Sequence, residues 1–431
     1  MEALRGADLR AADDRALAAS VREGHALLVD ETFLHHRMNL SRIVPTGDLL
    51  AHVRAWTGAA ATDVLAMLRG CSKDSEHGLE ELAELAAAAR GVEGLPAEIE
   101  RSTDPDATLR ALETRTDAVG DAARAWIERI GHLVTGYSPA YPTLRETPAA
   151  LLRSLHEALT GAPRAKDAGT GQAAADALRE RVPPAHRGTF DGLFEEARAT
   201  YFVRDHSAMR GLAAFGVMRR LVLEAGRRLV ARGVLEDAEE ALDLDVDALA
   251  SALADGRAPD RAALRARFEW RRTATYEVAP EVLGSAPGAP PPPDWLPPGA
   301  ARLHRALAEY LGAMFGEHEG AAAPKAVVLG LAASGGKRVG TARLVLAPGD
   351  FDRVRPGDIL VARITTPSYN ALLPLLAGIV TDRGGVLSHP AIVSREYGIP
   401  GVVGTRNATE RIPDGARIEI DGDAGTVRVL G

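Results

Sequence analysis

Residues Ala377 to Thr405 read AGIVTDRGGVLSHPAIVSREYGIPGVVGT, and this stretch decides how the C-terminal part of the chain folds. Its apolar opening, Ala377 to Thr381, has the composition of a buried strand. Gly384-Gly385 lets the backbone turn sharply, and Pro390 suits the first turn of a helix, where its missing N–H has no partner to lose. Ser388 and His389 then fall at the helix N-terminus. The helix is predicted to end near Tyr397, because Gly398 can cap it and Pro400 prevents its continuation.

His389 is thereby placed where free backbone N–H groups and the positive end of the helix dipole favour an anion. A neutral imidazole nitrogen is a usable nucleophile near neutral pH, and the phosphoramidate it forms stays reactive enough to pass its phosphoryl group on. The glycines clear side chains from its approach, and Ser388 is placed to donate to a phosphoryl oxygen. The pattern therefore predicts a transiently phosphorylated histidine and in-line transfer with charge stabilisation. The plain alternative is that His389 only caps a helix.

Around this segment, from Ala326 onward, Val, Ile and Gly rise and short β-like runs appear at Ala342 to Leu346, Asp358 to Ala362, Gly378 to Thr381 and Gly401 to Gly404. The end, ARIEIDGDAGTVRVL, alternates on both sides of Asp421-Gly422-Asp423, a strong hairpin signal. The first part of the chain differs. It is rich in Ala, Leu, Arg and Glu with apolar residues every third or fourth position, as in LEELAELAAAARG (Leu79 to Gly91) and in Gly211 to Arg232, and breakers such as Gly136 to Pro148 divide one amphipathic helix from the next. Between the two regions lies GSAPGAPPPPDWLPPGA (Gly284 to Ala300), which reads as a semi-rigid spacer, followed by one more helix to about Phe315.

The expected fold class is multidomain, α plus α/β. A helical body spans 1–283, the Pro-rich linker and connecting helix 284–324, and a small α/β domain 325–431.

Composition narrows the function. The 431 residues leave room for about two or three compact units. A net charge of −8 argues against wrapping a nucleic acid or sitting on an anionic membrane, so the expected partner is a small molecule or a protein. The single cysteine, Cys71, forms no internal disulfide, and no Cys/His spacing suggests a metal site. With a charged N-terminus and no long apolar run, the chain is expected to be cytoplasmic and not membrane-spanning.

The GGVLSH segment resembles the signature of the phosphohistidine-swivelling domain of phosphoenolpyruvate-utilising enzymes. The matching positions are Thr381, Gly384, Gly385, Ser388, His389, Ala391, Arg395, Glu396, Gly398, Pro400 and Gly404-Thr405, with His389 at the carrier position. Upstream, GDILVARITTP (Gly357 to Pro367) matches the strand and loop that precede the signature. The resemblance thus adds Thr365, Thr366 and Arg395 to Gly384, Gly385 and Ser388 as phosphoryl-binding candidates. Members regulated by phosphorylation carry threonine two residues before the carrier; Leu387 stands here, so that regulation is not expected.

Ile130 to Leu155 and Ala199 to Leu235 are similar to parts of the helical substrate-binding domain of rifampin phosphotransferase and its relatives, although Gly131-His132-Leu133 replaces their usual Gly-His-Arg. Candidate acceptor-side residues are His132, as a general base or a backbone-satisfied buried histidine, and Tyr201, Arg204 and His206, which face either a cavity or solvent. His35-His36 mark an expected helix boundary, and Arg219-Arg220 and Arg227-Arg228 an expected solvated face. Gly330 to Lys337 looks like a phosphate loop only superficially and is expected to be a turn between strands.

The sequence shows neither the ATP-grasp domain that charges the histidine in such relatives nor a phosphoenolpyruvate-binding barrel. The resemblance then implies a separate ATP-grasp protein as partner, with ATP and Mg2+ bound there, β-phosphate transfer to His389, and AMP and phosphate as by-products. The end reaction is expected to be phosphorylation of a hydroxyl on a small organic molecule such as a secondary metabolite. The alternatives are a phosphorylation-driven dehydratase or condensing enzyme, and a non-catalytic ligand-binding protein.

Overall fold

In a computed structural model of the chain, residues 1–71, 78–160, 169–274, 283–285, 288, 290–316, 324 and 326–430 are described. Parts of the Pro-rich stretch (286–287 and 289), residues 317–323 and the side chain of Arg204 lie outside the described residues.

The N-terminal region is a helical body built on α1, Asp14–Thr57. The Asp13 carboxylate caps its first turn by accepting from the Ala16 N–H, and Gly58, at φ 66°, ends it in the left-handed conformation. This helix corrects the expected boundary at His35-His36, for it runs through both and continues past Pro45. A proline in a helix interior costs about 3 kcal/mol. Packing on both sides offsets it, since Leu49, Leu50 and Val53 are wholly buried. Further along lie α2 (Ala118–Ile130), α3 (Pro148–Thr160), α4 (Arg187–Tyr201), α5 (Val203–Ala231) and α6 (Pro298–Phe315).

Helix α6, expected as a connector, is packed along α1. At Gly47 a β-carbon would overlap the Ala306 backbone, so the glycine lets the two helices approach. Arg302 of α6 reaches the buried Asp48 carboxylate at 2.6 Å.

The C-terminal region is one mixed sheet of β1 (Val327–Leu329), β2 (Leu331–Ser334), β3 (Lys337–Val345), β4 (Asp358–Ala362), β5 (Leu376–Thr381), β6 (Gly401–Val403), β7 (Arg417–Asp421) and β8 (Thr426–Val429). Its order is β1-β8-β7-β3-β4-β5-β6-β2. Strands β3 to β6 are parallel, and β7 with β8 forms the hairpin that the alternation around Gly422 predicts. All five residues of β4 are buried, as a strand at the centre of a covered parallel sheet requires. Gly330 to Lys337 holds β2 and the turn at Gly335-Gly336 that leads into β3, so it forms no phosphate loop.

Three apolar clusters tie this architecture together. One belongs to the sheet and includes Ile359, Val361, Val380, Ile418 and Ile420. The other two cross between the regions: Trp126 and Leu151 share a cluster with Phe351 and Leu373, and Phe190 and Tyr201 share one with Leu387 and Ile392. The small domain is therefore docked on the body, through the same loop that carries His389.

Candidate phosphohistidine site

Strand β5 ends at Thr381, and its ladder continues through Asp382 and Arg383, which donate to the carbonyls of Ala362 and Arg363. Gly384 then takes φ 103°, a conformation that favours glycine, and reverses the chain. The Gly385 N–H donates to the Met314 carbonyl at 2.8 Å, and the Leu387 N–H to the Ala313 carbonyl at 2.7 Å. The loop therefore closes on the C-terminal end of α6. Helix α7, His389–Tyr397, follows with Ser388 as its N-cap and Gly398 as a left-handed C-cap.

His389 is 8% exposed, so its ring is held by protein groups. The Thr365 hydroxyl lies 2.7 Å from Nδ1, and the Asn370 side-chain oxygen 3.1 Å from Nε2. Thr365 comes from the loop after β4 and Asn370 from the short helical segment Pro367–Leu375, both deeply buried. Asn370 escaped the sequence reading, which stopped at Pro367. Its signal was an amide three residues beyond the flagged segment's terminal proline.

The structure gathers Thr365, Gly384, Gly385 and Ser388 around His389. The Ser388 hydroxyl donates to the Gly385 carbonyl at 2.6 Å in this state. Thr366 turns towards the body and donates to the Thr135 carbonyl at 3.5 Å, while Ser368 donates to the Val134 carbonyl. Arg395 lies in the last turn of α7, at the end opposite His389, and its guanidinium donates to the carbonyls of Ala333 and Val386.

On the body side, Tyr201 is buried in the cluster that contains Leu387. His206 is exposed, with its ring edge-on to Phe202. His132 lines a cavity of about 880 Å³ together with Arg5, Arg145, Glu146 and Arg219. Burial, reinforced by the nearby Arg5 charge, pushes the His132 imidazole down from 6.5 to about 4, so it is neutral at pH 7. The segment from Gly131 to Thr147 thus has two faces. One lines this cavity, and the other presents the Val134 and Thr135 carbonyls to the docked histidine domain.

Arg219 holds that segment in shape. It is 4% exposed and donates to both carboxylate oxygens of Glu146 and to the carbonyls of Pro139 and Ala140. Burial is the largest single influence and opposes the Glu146 charge, but the Arg219 hydrogen bonds and charge together with the Thr143 hydrogen bonds outweigh it and keep that carboxyl below its usual range. Arg219 therefore corrects the expected solvated arginine face, as does Arg220, which donates to carbonyls of the first turn of the chain.

Among the described residues no helix is long and apolar enough to cross a membrane, and no three His, Cys, Asp or Glu side chains converge as metal ligands.

A histidine at a helix N-terminus, in a glycine turn on a small mixed sheet, is the arrangement of a phosphohistidine domain. Residues 354–425 match the mobile domain of PEP-utilising enzymes, and residues 37–205 match the fourth domain of rifampicin phosphotransferase. The chain therefore carries a mobile domain of the phosphoenolpyruvate-utilising enzymes and resembles rifampicin phosphotransferase.

It is 33% identical over 304 residues to chondramide synthase cmdD of Chondromyces crocatus, covering 67% of this chain and 8% of that protein. The uncharacterized phosphotransferase YvkC of Bacillus subtilis is 34% identical over 216 residues, 49% of this chain and 24% of its own length. A rifampicin phosphotransferase of Streptomyces sp. is 28% identical over 335 residues, 72% of this chain and 34% of its own length. The chain spans well under half the length of each.

Proposed function

We propose that this chain is the phosphotransfer component of an ATP-dependent phosphotransferase, with His389 as the carrier and a hydroxyl of a small organic molecule as the acceptor. The observation that carries the reading is the seat of His389, at the N-terminus of α7, buried between Thr365 and Asn370 in a loop docked on the helical body. The likeness to a chondramide synthase favours an acceptor from secondary metabolism.

In the charging step the imidazole lone pair attacks phosphorus, and the bond to the donor's leaving phosphate breaks with its electron pair. We assign this step to a separate ATP-grasp protein that binds ATP and Mg2+. In discharge the acceptor oxygen attacks, the N–P bond returns its pair to the ring, and the hydroxyl proton is released. Backbone N–H groups of the α7 N-terminus face the anion in both steps.

The favoured acceptor site is the cavity at His132, because the Gly131–Thr147 segment that lines it on one face presents the Val134 and Thr135 carbonyls to Ser368 and Thr366 on the other. A neutral imidazole there accepts a hydrogen bond from the hydroxyl and orients it. Little prior deprotonation is needed when the transition state is loose.

The test combines the chain with ATP, an ATP-grasp protein and a hydroxylated acceptor, and weighs the product. Retained phosphate supports this reading, whereas loss of water points to elimination. Rapid labelling of His389 from ATP by the isolated chain would contradict the separate partner.

A further inference from the structure

We propose that Asn370 is a catalytic residue of the phosphohistidine cycle, which grips Nε2 of His389 in the resting chain and donates to the phosphoryl group once that group is on Nε2. The proposal rests on His389 being the carrier.

Asn370 is 4% exposed, and a buried amide needs hydrogen-bonding partners. Its oxygen lies 3.1 Å from Nε2, so it accepts from an Nε2–H. The neutral ring then has its lone pair on Nδ1, where it accepts from the Thr365 hydroxyl at 2.7 Å. In that tautomer Nε2 has no lone pair with which to attack. Charging at Nε2 therefore requires the proton to leave Nε2 and one to arrive at Nδ1, a change with no net uptake.

Both neighbours can follow that change without acquiring charge. The Thr365 hydroxyl reverses and accepts from Nδ1–H. The Asn370 amide turns, so that its NH2 donates to a phosphoryl oxygen where its carbonyl formerly accepted. A carboxylate at this position could accept from Nε2–H but would repel the phosphoryl group. When the phosphoryl group departs, the N–P electron pair returns to Nε2, that nitrogen regains a proton while Nδ1 gives one up, the Thr365 hydroxyl again donates to Nδ1 and the amide turns back.

The position of Asn370 also links this exchange to docking. Ser368, two residues before it, donates to the Val134 carbonyl, and the carbonyl of Ala371, next after it, accepts from Ser154. Both contacts are with the helical body. The grip on Nε2 is thus set in a segment that the body holds, and it loosens when the domain swings away.

The experiment treats the full chain with potassium phosphoramidate, a small phosphoryl donor, so that no ATP-grasp partner is needed. His389→Ala serves as the blank against the other histidines. In the wild type the phosphorus and imidazole-nitrogen resonances are expected to place the group on Nε2. In Asn370→Ala and Asn370→Asp the phosphohistidine should hydrolyse at least about tenfold faster. In unphosphorylated Asn370→Asp, His389 should titrate at higher pH than in the wild type, because a neighbouring carboxylate favours imidazolium.

A phosphoryl group on Nδ1, or lifetimes unchanged in both folded variants, would overturn the role of Asn370. If Asn370→Ala fails to fold, the attachment site in the wild type and the Asp variant still decide. A wild-type chain with no His389-dependent signal would overturn the carrier reading itself.

Discussion

The backbone N–H of Leu387 donates to the Ala313 carbonyl at 2.7 Å, and a β-carbon at Gly385 would overlap that same carbonyl. The histidine loop and the end of α6 thus fit only because one residue lacks a side chain. Neither backbone can yield cheaply, so Gly385→Ala should weaken docking by about 1–3 kcal/mol while the sheet, with its own core, stays folded. Hydrogen exchange at the Leu387 amide is the measurement. Faster exchange is expected, and exchange as slow as in the wild type would contradict the contact.

Arg219→Ala should destabilise the body by about 1–3 kcal/mol, because the Pro139 and Ala140 carbonyls lose their side-chain donor and the exposed Glu146 carboxylate keeps only its bonds from Thr143. Thermal unfolding reads the loss. The same change should loosen the Gly131–Thr147 segment and so raise exchange at its amides more than at those of the sheet.

His132 makes the fold acid-sensitive in a defined window. As pH falls through about 6.5 the unfolded chain takes up a proton at this residue, whereas the folded chain does so only near 4. Its depressed value therefore leaves stability intact above 6.5 and removes at most about 3 kcal/mol as pH falls to 4. Urea unfolding of the wild type and His132→Asn across this range should show a shallower slope in the variant. Parallel slopes would mean that the imidazole is not held neutral by burial. If the cavity receives the acceptor, the variant should also slow acceptor phosphorylation while leaving the charging of His389 unchanged.

The helix at His389, its glycine turn and the β7–β8 hairpin were legible in the sequence, because each is a local matter of glycine, proline and alternation. What was not legible depends on partners distant in sequence. Asn370 meets His389 across 19 residues, and Leu387 meets Ala313 across a change of domain. The continuous α1 runs through the expected boundary at His35-His36 and past Pro45, whose local preference loses to the burial of Leu49, Leu50 and Val53. The motif position of Arg395 does not show which way a side chain in the last turn of a short helix points, and its bonds to the Ala333 and Val386 carbonyls come from the fold.

The central claim is that His389 carries the phosphoryl group, and peptide mapping by mass spectrometry under alkaline conditions tests it most directly. The full chain, charged by ATP in the presence of an ATP-grasp protein, should yield one acid-labile, base-stable phosphorylated peptide containing His389, and that label should pass to the acceptor when it is added. Label on another residue, or acceptor phosphorylation that persists in His389→Ala, would contradict the account.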